Sequence, residues 1–506
     1  MEKTKLPYLR IKKISLKDFR NIKQGEVELP NSSYDDFKDG KPSVLGLYGQ
    51  NGSGKTSLLM AINILKTVLC GQSLKYSIFA SAIREGCMKC GLSFDFIGYN
   101  DKDNEVTDIT YEFCVEKSLV EDDADDSSAV VSSPDKGLKE PGISFDLNLS
   151  PNKERLIITN EVLWYKPRNS NGRKQRLVDT RPEECAKKAF GPKAKYESLT
   201  KNAPKEIHEF FTKMRTVAEE RSVSFIFNDA VFHNLMVATR ENKDQQEALY
   251  CLNTFGGAYL FIIGSEETGL NNIKELPLML RKEDNEGVKV LLSLLRLKRG
   301  CSIEEKFYND TRSAIDALNT VLSKLIPRMN LRCIDRGIFT DKDSKEMHRF
   351  DLLSDRDGVR IPFEYESDGI RRIVSFLSLL ISVYNDPSFT LAIDEIDSGI
   401  FEYLLGEIIS IMGKNARGQL IFTSHNLRPL EVLPTKYLMF TSINPENRFV
   451  KLEGVGGNNN LRDCYFRYIV LGSGKNAIYE TTDTFDIEEA LFEAGYHEEF
   501  DNTNPS

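Results

Sequence analysis

The chain has 506 residues, enough for about three structural units of ordinary domain size. Hydrophobic residues make up 40% and charged residues 28%, a globular balance that excludes a disordered or fibrous chain. The net charge of −9 excludes a wholly basic nucleic-acid coat.

The first segment alternates around Ile14 and Leu16, then Val27 and Leu29, and predicts two strands joined near Asp18–Asn21. SVLGLY at 43–48 is mostly apolar, as a buried parallel strand is. A glycine-rich turn follows, then a helical pattern over 56–69. Residues 86–182 predict a β-rich subdomain, with strands at 92–98, 106–116, 142–149, 155–159 and 161–165. It is interrupted at 121–141 by an acidic, Ser/Pro-rich loop with no aromatic residue.

From 183 to 328 the pattern predicts a helical insertion, with helices at 204–218, 245–252, 288–297 and 303–325. Strands return at 330–334, 348–352 and 359–363. A helix is expected at 369–384, then strands at 389–393 and 419–423. The fold class is therefore α/β. A core formed by 1–85 and 329–455 is split by the β-rich and helical segments, and 456–506 is a tail. The apolar run GAYLFIIG at 257–264 is far short of the ~20 residues of a membrane span, and no signal-peptide stretch precedes the first strand. The nine cysteines are irregularly spaced, which suits a reducing, cytoplasmic setting. Cys87 and Cys90 form one C-x-x-C without a second pair, and read as a surface turn.

GQNGSGKT at 49–56 matches the phosphate-loop pattern G-x-x-x-x-G-K-[ST] at every position. Side chains at Gly49, Gly52 and Gly54 would obstruct a loop that wraps phosphates or forbid its backbone angles. Amides of Asn51, Ser53 and Ser57, with the positive end of the next helix, face the phosphates. Lys55 adds a point charge toward the β- and γ-phosphates, and the Thr56 hydroxyl is placed for Mg²⁺.

FTLAIDE at 389–395 is an apolar strand ending in two acids. Asp394 suits Mg²⁺ and Glu395 suits the polarisation of an attacking water. ESDGIRR at 366–372 opens a helix with Ser367 and Gly369, a second anion site that cannot reach the phosphate loop of its own chain. LIFTSHN at 420–426 ends a strand in His425, a donor that can sense loss of a terminal phosphate.

These four pieces, in the chain order phosphate loop, SDG, DE strand and strand-His, resemble the SMC/RecF/ABC-type ATPases with an ABC/SMC-head-like core. KKISLKDFRN, YGQNGSGKTSLLMAI, ESDGIRR, LAIDEIDSGI and FTSHN are more closely similar to OLD-like ATPases with an AAA-type core, many of which act in anti-phage and abortive-infection systems. The resemblance implies ATP as ligand, Mg²⁺ on Thr56 and Asp394, catalysis by Glu395 and a switch at His425. It implies a homodimer, or a higher homo-oligomer, in which Ser367 and Gly369 act in trans and Asp397 crosses the interface. It also implies that Arg20 lies near the nucleotide. The signature departs from LSGGQ by an acid at Asp368, and no Q-loop is placed.

Only 81 residues follow His425, without the carboxylate set of the Toprim nuclease that OLD-type enzymes carry. A separate effector is the corresponding expectation. Between 166 and 201 eleven Lys/Arg face four acids, beside Trp164, Tyr165, Phe190 and Tyr196. That stretch either contacts nucleic-acid backbone or forms a solvated hairpin and helix. The leading expectation is an ATP-driven switch in phage defence, and the alternative is a RecF-like, DNA-binding repair ATPase.

Overall fold

The computed structural model describes residues 8–74, 77–100, 105–120, 153–168, 172–185, 188–201, 206–264, 275–284, 287–296, 300–451, 461–471, 477–480 and 482–495. The expected strand at 142–149 and the acidic loop at 121–141 lie outside them.

The first sheet is antiparallel. It comprises β1 (Tyr8–Phe19), β2 (Ile22–Glu28), β4 (Lys89–Asn100), β5 (Glu105–Val120), β6 (Lys153–Tyr165) and β7 (Gln175–Asp179), in the order β2-β1-β4-β5-β6-β7. Its inner face carries Phe94, Phe96, Phe113 and Tyr111, all buried. The two strands expected at 155–159 and 161–165 are one, β6, with a register shift opposite Cys114 and Val115. A bulge leaves one residue unpaired and so reads in sequence as a break.

The second sheet is the core. β3 (Ser43–Tyr48), β8 (Leu260–Ile263), β15 (Thr390–Ile393), β16 (Gln419–Thr423), β17 (Leu438–Thr441) and the edge strand β18 (Phe449–Val450) run in the order β18-β17-β3-β16-β15-β8. All pairings except β17–β18 are parallel. Every residue of β3, β8, β15 and β16 is buried, which is why these strands are continuously apolar rather than alternating. Helix α1 (Lys55–Leu69) is sandwiched between the two sheets and buries Leu58, Ile62, Leu65 and Leu69 against Phe94, Phe96, Ala392 and Ile421. An apolar circumference is required of a helix covered on all sides.

Two polar side chains join the sheets. Gln419 of β16 accepts from the Ile11 N–H (2.7 Å) and donates to the Ile11 carbonyl (2.8 Å), taking the part of a strand between sheets. The buried Arg10 donates to the carbonyls of Pro387 (3.2 Å), Lys41 (3.2 Å) and Arg417. Burial, and then the nearby Arg417, pushes its pKa down to about 9.

The segment 183–328 carries more helix than strand, and strands enter it as well. It holds α2 (Glu206–Arg221), α3 (Asp229–Ala238) and α4 (Lys243–Thr254), then β8, which returns to the core sheet beside β15. The helix expected at 288–297 is a strand, β10 (Gly287–Arg296), paired antiparallel along its whole length with β9 (Glu275–Asp284). A short leucine-rich run fits either period, and here the partner strand decides. The helix expected from 303 begins later, as α5 (Tyr308–Leu325), because 301–304 form β11 (Cys301–Glu304). β11 pairs with β13 (Glu346–Arg356), which also pairs with β12 (Met329–Thr340) and β14 (Val359–Pro362). Helices α6 (Asp368–Asn385) and α7 (Glu402–Asn415) cover the other face of the core sheet. No helix among the described residues is long and apolar enough to cross a membrane.

Candidate functional site

Parallel strands leave a crevice at their carboxyl ends. β3, β15, β16 and β17 all end at one cleft of about 1670 Å³. Past Tyr48 the chain turns through Gly49 (φ +150°), Gly52 (φ +76°) and Gly54 (φ +105°). The turn lies so tight on β17 that a Cβ on Gly49 would sit 1.9 Å from Thr441 Oγ1. Ser53 donates to the Gln50 carbonyl (2.5 Å) and is bonded to the Thr441 hydroxyl. Gly54, in the left-handed region, caps α1 without a side-chain bond, so the amides at the start of the helix stay open to a ligand.

Lys55 is buried, and its ammonium donates to the carbonyls of Gly49 (2.7 Å) and Gln50 (3.1 Å). Burial lowers its pKa, against the pull of Asp394, Glu395 and Asp397. Asn21, not foreseen from the sequence, braces the loop. Its amide donates to the Gly52 carbonyl, and its Oδ1 accepts from the Ser57 hydroxyl (3.0 Å). Its position next to Arg20, in a tight turn, was the one available signal. Asn51 and Thr56 line the cleft.

β15 lies one strand away from β3, with β16 between them. Asp394 follows β15 and is buried; Thr423, the last residue of β16, donates to its Oδ1 (2.5 Å). The same Thr423 hydroxyl accepts from the Glu395 N–H (2.8 Å). Glu395 is exposed on the cleft wall and adopts φ +48°, an uncommon backbone for a side chain of its size. Arg372 of α6 donates to the carbonyls of Asp394 (2.9 Å) and Glu395 (2.8 Å). The two acids are thus clamped from both sides by residues that motif reading did not single out.

His425 lies just beyond β16 with an exposed ring lining the cleft. Its backbone N–H donates to the two Asp397 carboxylate oxygens (3.3 and 3.2 Å), as does that of Asn426 to one of them (3.0 Å). Arg20 (φ +50°) sends its N–H to the Ala82 carbonyl (2.9 Å) and its side chain to the cleft. Burial lowers the Arg20 pKa and the Asp394 charge opposes that.

Asp394 and the Thr56 hydroxyl share the cleft. Oxygen donors of this kind fit Mg²⁺, which takes one or two protein groups and completes its shell with phosphates and water.

Ser367 and Gly369 do not line this cleft. Ser367 is the N-cap residue of α6, and its hydroxyl makes no capping bond. A Cβ on Gly369 would lie 2.1 Å from the carbonyl oxygen of Gly399, in the turn after the two acids. Asp368 points outward, 75% exposed, and pairs with Arg371. The preceding Glu366 is buried, accepting from Ser354 (2.5 Å) and Arg356 (3.1 Å).

The basic stretch at 166–201 is matched by acids both from elsewhere in the chain and from within the stretch. Lys166 pairs with Asp108, Arg168 with Asp244 and Glu247, and Lys174 with Asp95. Arg176 and Arg181 share Asp179, and Lys193 faces Glu197. Lys188 and Lys195 lie over Tyr196 and Tyr165.

A family model described as an AAA ATPase domain matches residues 9–428. The chain belongs to this AAA ATPase family. The match spans both the loop at 49–56 and the acids at 394–395, so the AAA ATPase domain includes the segments inserted between them. No curated protein matches the sequence. Among solved structures, it is similar to an Smc head domain from Pyrococcus furiosus bound to the C-terminal domain of ScpA. That match has 14% identity and a TM-score of 0.37, covering 92% of this chain and 100% of that one. It is also similar to the SMC head domain from Thermotoga maritima (13%, TM-score 0.34, covering 88% and 99%). A structure of the recombination mediator protein RecF with ATP matches at 14% and TM-score 0.34, covering 88% and 100%. Likenesses this remote say nothing of activity or partners.

Proposed function

We propose that this AAA ATPase binds ATP with Mg²⁺ in the cleft and hydrolyses it. The observation that carries the reading is the convergence of Lys55, Thr56, Asp394, Glu395 and His425 on one cleft from three separate parts of the sequence. The amides at 51–57 and Lys55 hold the phosphates. Asp394 and Thr56 hold Mg²⁺, which when bound neutralises charge developing on the phosphoryl oxygens. Glu395, braced by Thr423 and Arg372, orients and deprotonates the attacking water. His425 contacts the terminal phosphate, and its loss is relayed through Asp397.

Ser367 stands at a helix start outside the cleft with its hydroxyl uncommitted to a cap, which supports a role on a second copy's nucleotide. Two chains then enclose two ATP molecules, and hydrolysis reopens the pair to switch an effector. The motif resemblance to OLD-like ATPases supports an anti-phage setting. A RecF-like role in DNA metabolism is the second reading, and the internal pairing of the 166–201 cations favours the first.

The test is ATP turnover per chain against protein concentration, for the wild type, Lys55→Ala and Glu395→Gln. Loss of the base should lower turnover on the order of 10²–10⁴-fold with ATP still bound. Turnover that rises with concentration supports the two-chain site. Equal turnover in wild type and Glu395→Gln would remove the catalytic assignment.

A further inference from the structure

Two arginines on the cleft wall have no role in the reading above. Arg448, just before β18, is 7% exposed. Its Nη1 donates to the Ser442 carbonyl (2.7 Å) and its Nη2 to the Asn21 carbonyl (2.5 Å). Its Nε is buried and has no acceptor. The stem of the side chain packs on the helix cap, since a Cβ on Gly54 would lie 3.3 Å from Arg448 Cγ. Arg84, in the turn before β4, lines the same cleft, half-buried. Burial lowers the Arg448 pKa, and the Arg84 charge lowers it further.

A buried guanidinium with an unused donor, sharing its cleft with a second cation, is costly by itself. An anion between the two would relieve both costs, and guanidinium forks suit phosphate oxygens. Which phosphate follows from position. Arg448 rests on Gly54 and binds Asn21, which braces Gly52 and Ser57 around the start of α1. The acids and His425 mark where the terminal phosphate would be cleaved.

We propose that Arg448 and Arg84 bind the diphosphate that ATP and ADP share, rather than the terminal phosphate. The inference rests on the reading of the cleft as a nucleotide site. It adds a cationic contact beyond Lys55, contributed by β18's approach and the antiparallel sheet. The contact persists after hydrolysis.

The experiment measures Mg·ATP and Mg·ADP affinity by competition with a fluorescent nucleotide, for wild type, Lys55→Ala, Arg84→Gln and Arg448→Gln. Each arginine variant should lose roughly tenfold to hundredfold, for ADP and ATP alike, as expected for a charge-assisted bond to phosphate. The salt dependence of binding should weaken in the same variants, which a purely structural role would not produce. Wild-type affinity in Arg84→Gln, or a loss confined to ATP, overturns the proposal. Arg448→Gln also gives up two carbonyl bonds; if it fails to fold, Arg84→Gln decides alone. If the wild type itself binds no nucleotide, the reading of the cleft falls and this contact with it.

Discussion

Thr423 gives the sharpest test of how the acids are held. Its hydroxyl donates to Asp394 and accepts from the Glu395 N–H, and the residue is fully buried. Thr423→Val keeps the shape and removes both bonds. The charge-assisted bond to Asp394 is worth about 1.5–3 kcal/mol, and a stranded N–H costs about 1–3 kcal/mol. Together the local ground state loses about 2.5–6 kcal/mol. Glu395 sits at φ +48°, which costs about 1–3 kcal/mol and persists only where the surroundings impose it. Arg372 and the Ser398 N–H (3.0 Å) would then hold it, both through its carbonyl. Relaxation of that backbone by about 1 Å displaces the carboxylate enough to cost ~10²-fold in rate. The assay is single-turnover hydrolysis alongside nucleotide affinity. Thr423→Val should turn over about a hundredfold slower, with ATP affinity within about threefold because the loop at 49–56 is untouched. Thr423→Ser keeps the hydroxyl and should remain near wild type. Wild-type turnover in Thr423→Val would refute the reasoning. So would a Thr423→Ser variant as slow as Thr423→Val, since the methyl group and not the hydroxyl would then matter.

Gly369→Ala places a Cβ 2.1 Å from the Gly399 carbonyl, and Gly399 is itself at φ +73°, so the backbone must shift. The expected result is a loss of about 1–3 kcal/mol in denaturant unfolding, with turnover reduced more than ATP binding. Glu161 is buried and accepts from Tyr111 (2.5 Å), Ser224 (2.5 Å) and the Phe225 N–H (2.6 Å). Glu161→Ala strands these donors, and its unfolding free energy should fall by about 3 kcal/mol or more. His348 bridges Glu305 (2.5 Å) and Asp335 (2.8 Å) and stacks on Tyr308. Burial opposes its charge, but the bonds to Asp335 and Glu305 outweigh burial and raise its pKa. Its contribution is therefore fully present below the unfolded pKa near 6.5 and is lost as pH rises through the folded value. The denaturation midpoint of the wild type should fall on going from mildly acidic to alkaline pH, and His348→Gln should flatten that fall. An unchanged slope would show that the bridge does not titrate.

The strand–glycine turn–helix at 43–69 was legible in the sequence because its constraints are local. Backbone angles at Gly49, Gly52 and Gly54, and a lysine next to a hydroxyl, need no distant partner to be recognised. The acids at 394–395 and His425 were legible through order and spacing along buried strands. Tertiary structure alone decided what holds them. Thr423, Arg372, Asn21 and Arg448 act through hydrogen bonds that join parts of the chain brought together only by sheet order. The same distinction explains the strands. Gly287–Arg296 is a strand because Glu275–Asp284 pairs with it, and Leu260–Ile263 enters the core because β15 offers an edge there. Periodicity reports which face a residue buries, whereas long-range pairing decides short apolar runs that satisfy either period.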